Sequence, residues 1–202
     1  LTSNTTGSNN SAIGRYSLNT NTIGEYNTAV GSLALRYNTT ASYNTAVGRQ
    51  ALTNNTTAAS NTSIGYQAMT STTTGQGNTA VGAQALDAHT TSNDNCAFGK
   101  GSLGATTTGG GNVAAGLNSG DTITTGSGNT IIGNLADSGA TGAVNRISLG
   151  NQVVASADNR VSIGAGSSVA ELDLNGSDTS WAASSDERLK ENINDSEAGL
   201  SF

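Results

Sequence analysis

The sequence predicts an all-β fold, a parallel β-solenoid or β-roll of 17-residue repeats assembled as a homotrimeric fibre and followed by an intertwined β-stalk. Three observations predict it. Nine glycines, from Gly14 and Gly31 to Gly133 and Gly150, recur at one fixed interval without a slip. Their neighbours recur with them, most clearly as NTAVGSLAL from Asn27, NTAVGRQAL from Asn44 and NTAVGAQAL from Asn78. The apolar stretch in each unit is short and β-branched, too short for a helix pair, and turn residues return every time. A unit repeated in register stacks on its predecessor, so the chain extends along an axis and does not close into a globule. With coils about 4.8 Å apart, Gly14 to Gly150 would span roughly 38 Å.

The array is assigned to residues 1–144. Alternation along each strand puts Val30, Val47, Ile64, Val81 and Phe98 on one face and Ala29, Ala46, Ser63, Ala80 and Ala97 on the other. A lone roll buries only its inner face, so a second apolar or small column points to another chain covering it. Symmetry then favours a closed ring of parallel chains, and a trimer is the expected state. The asparagine column Asn10, Asn27, Asn44, Asn61, Asn78, Asn95, Asn112 and Asn129 is read as an amide ladder along the axis in preference to a sugar-binding strip. The variable trios before it, such as 41–43, 75–77 and 109–111, are expected to form the exposed, recognising surface. The paired threonines, from Thr39 and Thr40 to Thr124 and Thr125, allow an ice-binding face, but neighbours in a strand point to opposite sides. Strand filler with locally bonded hydroxyls is the preferred reading.

Composition narrows the function classes. Only 34% of residues are hydrophobic and 11% charged, with 27 glycines, which excludes a large conventional core. Residues 1–150 balance Arg15, Arg36, Arg49, Lys100 and Arg146 against Glu25, Asp87, Asp94, Asp121 and Asp137, so a nucleic-acid partner has no basic track to use. No apolar run approaches a membrane span, and no membrane insertion is expected. The chain starts at Leu1 inside repeat-like sequence and reads as an excerpt of a longer polypeptide. His89 lies in a polar variable column without ligand-spaced partners and is given no chemistry. Cys96 replaces a recurrent threonine as a small tolerated residue. The Asn/Thr sequons at Asn38, Asn55 and Asn61 are expected by chance, and the aspartates of a calcium-binding roll are missing. No cofactor or metal is expected, and the dispersed acids argue against a glycan-degrading enzyme.

After Gly150 the spacing breaks: the block NRVSIG from Asn159 ends at Gly164. Residues 145–185 are read as the stalk, with short strands, turns at Ala165-Gly166 and Asn175-Gly176, and a cap near Trp181. In the charged segment 186–202, Ser184 and Glu187 form a capping box that would start a helix.

The nine residues SDERLKENI from Ser185 resemble the start of the intramolecular chaperone domain, of the endosialidase type, at the C-terminus of phage tail fibres and tailspikes. Ser185, Asp186, Arg188 and Lys190 match its Ser-Asp-x-Arg-x-Lys junction. The resemblance implies a trimerising domain that templates folding of the preceding fibre and then cleaves itself off at Ser185-Asp186. Ser185 would be the nucleophile and Lys190 a supporting base or charge. Most of that domain is missing from this chain, so any reaction is a one-time event of the complete precursor. The repeat also resembles the head β-rolls of bacterial trimeric autotransporter adhesins, whose period is shorter. The expected function is therefore a structural and adhesive fibre segment on a virion tail appendage or cell surface, with a host-surface glycan or protein receptor as partner. A bacterial surface adhesin and a monomeric ice-binding solenoid are the alternatives.

Overall fold

The computed structural model describes residues 1–176 and 182–183. All regular structure in them is β, with no helix among the described residues. Nine three-residue strands mark nine coils: β1 Ser11–Ile13, β2 Thr28–Val30, β3 Thr45–Val47, β4 Thr62–Ile64, β5 Thr79–Val81, β6 Cys96–Phe98, β7 Val113–Ala115, β8 Thr130–Ile132 and β9 Ile147–Leu149. Then follow β10 Arg160–Ala165, β11 Ser168–Asp173 and β12 Ala182–Ala183. One sheet holds all twelve in chain order. Pairing is parallel through β10, and the array register is the repeat itself, Ala29 opposite Ala46 and Val30 opposite Val47. The predicted parallel solenoid is therefore the fold.

The middle residue of each strand points inward. Ala29, Ala46, Ala80, Ala97 and Ala114 are fully buried, while the Val/Ile/Phe column faces outward. Alanine suits the inner position because each coil is narrow, and the remaining interior is filled from the opposite wall by Ala34 and Leu35 and their equivalents. The leucine column, Leu18, Leu35, Leu52, Met69, Leu86 and Leu103, is fully buried and lies at φ between 46° and 51°. A left-handed leucine costs about 1–2 kcal/mol, and full burial of its side chain returns about 1.5–3 kcal/mol. Burial wins, so the turn winds tightly enough to aim each leucine at the axis.

The recurrent glycine has two reasons to be glycine. Gly65 sits at φ 140°, and a Cβ there would collide with the carbonyl oxygen of Gly82 in the next coil. Every other array glycine of this column meets the same carbonyl contact. The repeated punctuation thus records a backbone-to-backbone approach no side chain could enter.

Two corrections concern the turns. The paired threonines lie in the bends between strands and not in strands. The first of each pair is half-buried and donates its hydroxyl to the carbonyl of its successor one coil on, as Thr39 Oγ1 does to Thr56 O at 3.1 Å, while the second is exposed. The trios before the asparagine column are exposed only in part. Ala41, Gly75 and Gly109 are buried and accept amide hydrogens from that column, leaving Tyr43, Gly77 and Gly111 outside.

Beyond Gly150 the coil shortens, with Val161 opposite Ile147, and the chain then turns back. β10 and β11 form an antiparallel hairpin through Gly166, at the turn expected there. Arg160 braces it, pairing with Glu171 at 2.8 Å and Asp173 at 2.9 Å. Trp181, Ser184 and Glu187, the expected cap and helix start, lie outside the described residues.

Candidate functional site

The junction residues Ser185, Asp186 and Lys190 also lie outside the described residues. Within the described part, chemistry is distributed over columns, so the site is built column by column.

Two asparagine ladders run through the interior. In the first, the backbone N–H of each asparagine donates to Oδ1 of the one before it, at 2.9–3.1 Å from Asn27 through Asn129. Each Nδ2 also donates to a backbone carbonyl of the next coil, at 2.7–3.1 Å. Every amide is thus spent inside the fold, which bears out the ladder. Arg146 takes the place of the next asparagine, reaching Asp158 and the carbonyls of Ser138 and Ala155, and ends the ladder. The second ladder joins Asn4, Asn21, Asn38 and Asn55, each Nδ2 donating to the preceding Oδ1 at 2.8–2.9 Å. Buried and bonded, the side chains of Asn38, Asn55 and Asn61 present no free amide to a modifying enzyme.

The second ladder continues as Thr72 and then His89. The column that reads as variable and polar in sequence is an interior one, and His89 is fully buried. Its Nε2 lies 2.8 Å from Ser92 O and its Nδ1 2.9 Å from Thr72 Oγ1. A carbonyl can only accept, so Nε2 carries the proton and Nδ1 accepts from the threonine hydroxyl. Desolvation holds the imidazole pKa below its usual value. Thr72 has one hydroxyl proton to give and gives it to His89, which leaves Asn55 Oδ1 buried without a partner among the described residues. His89 is therefore a neutral structural imidazole that shares no site with a second titratable group.

Outside, the strand face carries two apolar or half-polar columns. Ile13, Ile64, Phe98, Ile132 and Ile163 are exposed, with Ile13 at 65% and Phe98 at 45%, and Val30, Val47 and Val81 are half-buried between them. Beside them run Thr28, Thr45, Thr62 and Thr79, with Cys96 in the same column. Burial pushes the Cys96 thiol pKa up, the opposite of what an activated nucleophile needs. This strip runs unbroken along the sheet.

Past the glycine bend, the first four coils carry aromatic and basic side chains. Arg15 stands over the Tyr16 ring at 4.6 Å, and Arg36 lies 5.4 Å from Tyr16 and 4.8 Å from Tyr37. The Arg15 hydrogen bond and charge hold the Tyr16 phenol below its ordinary pKa. Arg49 covers Tyr66 at 5.7 Å. On another column Tyr26 and Tyr43 stack in parallel at 5.2 Å. Sequence reasoning places recognition in the trios before the asparagines and passes over this cluster. Its signal was the confinement of all five tyrosines to the segment that ends at Tyr66.

Further along, Asp87 and Asp121 have raised pKa values, mainly through burial, with a smaller push from the next acid along the row. Among the described residues no three His, Cys, Asp or Glu side chains are grouped to hold a metal ion. No described helix is long and apolar enough to cross a membrane. Comparison with family models, curated proteins and solved structures finds no match to this chain.

Proposed function

We propose that this chain is the shaft of a homotrimeric phage tail fibre that serves in host attachment and is matured by cleavage of a C-terminal chaperone at Ser185-Asp186. The observation that carries the reading is the outward apolar strip from Ile13 to Ile163. Monomeric proteins seldom leave a continuous apolar face in water, and a strip one strand wide suits packing about a common axis. The junction motif supports the phage assignment, and attachment places the protein on a virion appendage or other external surface. A bacterial trimeric adhesin would rest on the same physics and differ in what anchors it. The ice-binding alternative loses support because the first threonine of each pair spends its hydroxyl on the next coil.

The test is the light-scattering mass of the fibre released from a precursor carrying the complete C-terminal domain. A mass three times the 20.0 kDa chain, less the excised tail, is expected. Ile64→Lys with Val81→Lys, on one strip but outside the core, should reduce it to one chain with unchanged circular dichroism. A wild-type monomer would overturn the reading. Ser185→Ala should leave the precursor uncleaved, and cleavage at full rate would remove the assigned nucleophile.

A further inference from the structure

The eight tyrosines and arginines between Arg15 and Tyr66 are not scattered: six of them, Arg15, Tyr16, Arg36, Tyr37, Arg49 and Tyr66, lie along one side of four successive coils. Arg15, Ser32, Arg49 and Tyr66 occupy one column by the repeat register, and Arg36 bridges from the second coil back to Tyr16 in the first. The three guanidiniums are held by aromatic rings and by little else. Among the described residues their side-chain hydrogen bonds are Arg15 Nη2 to the Tyr16 hydroxyl, at 3.3 Å, and Arg49 Nη1 to the Tyr66 hydroxyl, at 3.4 Å. Arg36 Nε is buried with no hydrogen-bond partner among the described residues. Among the described residues the ion pairs are at Arg146 and Arg160, so no carboxylate neutralises this strip. Glu25, the one acid before Asp87, instead accepts from Ser8.

A guanidinium stacked on a ring is fixed in orientation and weakly hydrated, and its planar fork matches a carboxylate. Among the described residues most of its N–H donors here are unspent. Arg15 and Arg49 stand in one column two coils, about 9.6 Å, apart, with Arg36 beside them in the coil between, which suits a polymer bearing carboxylates at intervals along its length. Single-stranded nucleic acid fits less well. Guanidiniums already cover the tyrosine faces on which bases would stack, and three charges on a chain of net charge −6 make a poor track for closely spaced phosphates.

We propose that Arg15, Tyr16, Arg36, Tyr37, Arg49 and Tyr66 form a binding strip for a carboxylate-bearing polysaccharide of the uronic-acid type. The proposal rests on the attachment role given above and names its ligand. The strip lies past the glycine bend from the strand face, so its ligand and a neighbouring chain need not compete for the same columns.

The fibre released from the precursor carrying the complete C-terminal domain is titrated calorimetrically, at physiological salt, with oligoglucuronate and oligogalacturonate, with neutral dextran and single-stranded DNA as comparison ligands. Binding to at least one uronate series, without dextran binding, is expected, and preference between the two identifies the sugar. Arg36→Gln should weaken it about tenfold, the loss of one charged hydrogen-bonding group, and Arg15→Gln with Arg49→Gln should abolish it. Each variant is checked for wild-type circular dichroism and light-scattering mass. Absence of uronate binding, unchanged affinity in Arg36→Gln, or equal affinity for DNA overturns the strip. Because mass is read on the same samples, a trimer that binds nothing defeats the strip alone, whereas a monomer that binds uronate defeats the trimeric reading alone.

Discussion

At the scale of single residues, position in the coil decides what each side chain does more than its chemical type. His89 shows this most clearly, since an imidazole placed among asparagines and threonines becomes a buried ladder rung with both ring nitrogens engaged. Its folded pKa is depressed by desolvation, so unfolding near neutral pH and below takes up a proton. The unfolded state then binds more protons than the folded one, and stability must rise with pH across that window. His89's contribution is complete above the unfolded value of about 6.5 and is lost progressively as pH falls through it toward the depressed folded value. In His89→Asn, which restores the residue of the earlier coils, the pH dependence of the melting temperature between about pH 7 and 5 should flatten. An unchanged slope would show that other groups set it. This burial was illegible in sequence because the column mixes Asn, Thr, His and Ile, whose shared property is location. The left-handed leucines were hidden for a related reason: leucine is among the last residues one would place at positive φ, and only the filled interior explains Leu35 or Leu52 there.

Among the elements, the strands are too short to hold register by themselves, each contributing three residues to a ladder. The asparagine ladder supplies what they lack, fixing the residue just before every strand from Thr28 to Thr130. Asn61 illustrates the connection. Its Oδ1 accepts the backbone N–H of Asn78, and its Nδ2 serves the carbonyl of Gly75. Asn61→Ala strands one buried donor and one buried acceptor, at about 1–3 kcal/mol each, so a loss of roughly 2–6 kcal/mol in denaturant unfolding is expected. A loss below about 1 kcal/mol would mean that water replaces the amide. This part of the fold was legible. Invariance of Asn and Gly at fixed offsets carried the ladder and the tight bend, and Ala against Val in NTAV carried the two faces. The aromatic and basic strip was not, because it appears in only four coils and a repeat consensus averages it away.

For the whole molecule, charge and aromaticity are graded along the axis while the backbone is not. Coils near the start carry Arg15, Arg36 and Arg49, and those after Leu86 carry Asp87, Asp94, Asp121 and Asp137. One scaffold thus supports different surfaces at different heights along the described coils. The hairpin of β10 and β11 follows the array, turning the sheet antiparallel just past the shortened coil. The carbonyl contact at each glycine bend, from Gly14 to Gly150, has a consequence for how the chain can change size. Since every array coil meets the next through the same atoms, a whole repeat can be removed without disturbing a column. Excising residues 45–61 would join Asn44 to Thr62 with each remaining column intact, giving a shorter shaft that melts cooperatively close to the parent. Excising 45–60 instead leaves one residue too many between Gly31 and Gly65, which a bend must absorb as it does in the shorter coil from Gly150 to Gly164, and should give a chain that melts below the 45–61 deletion.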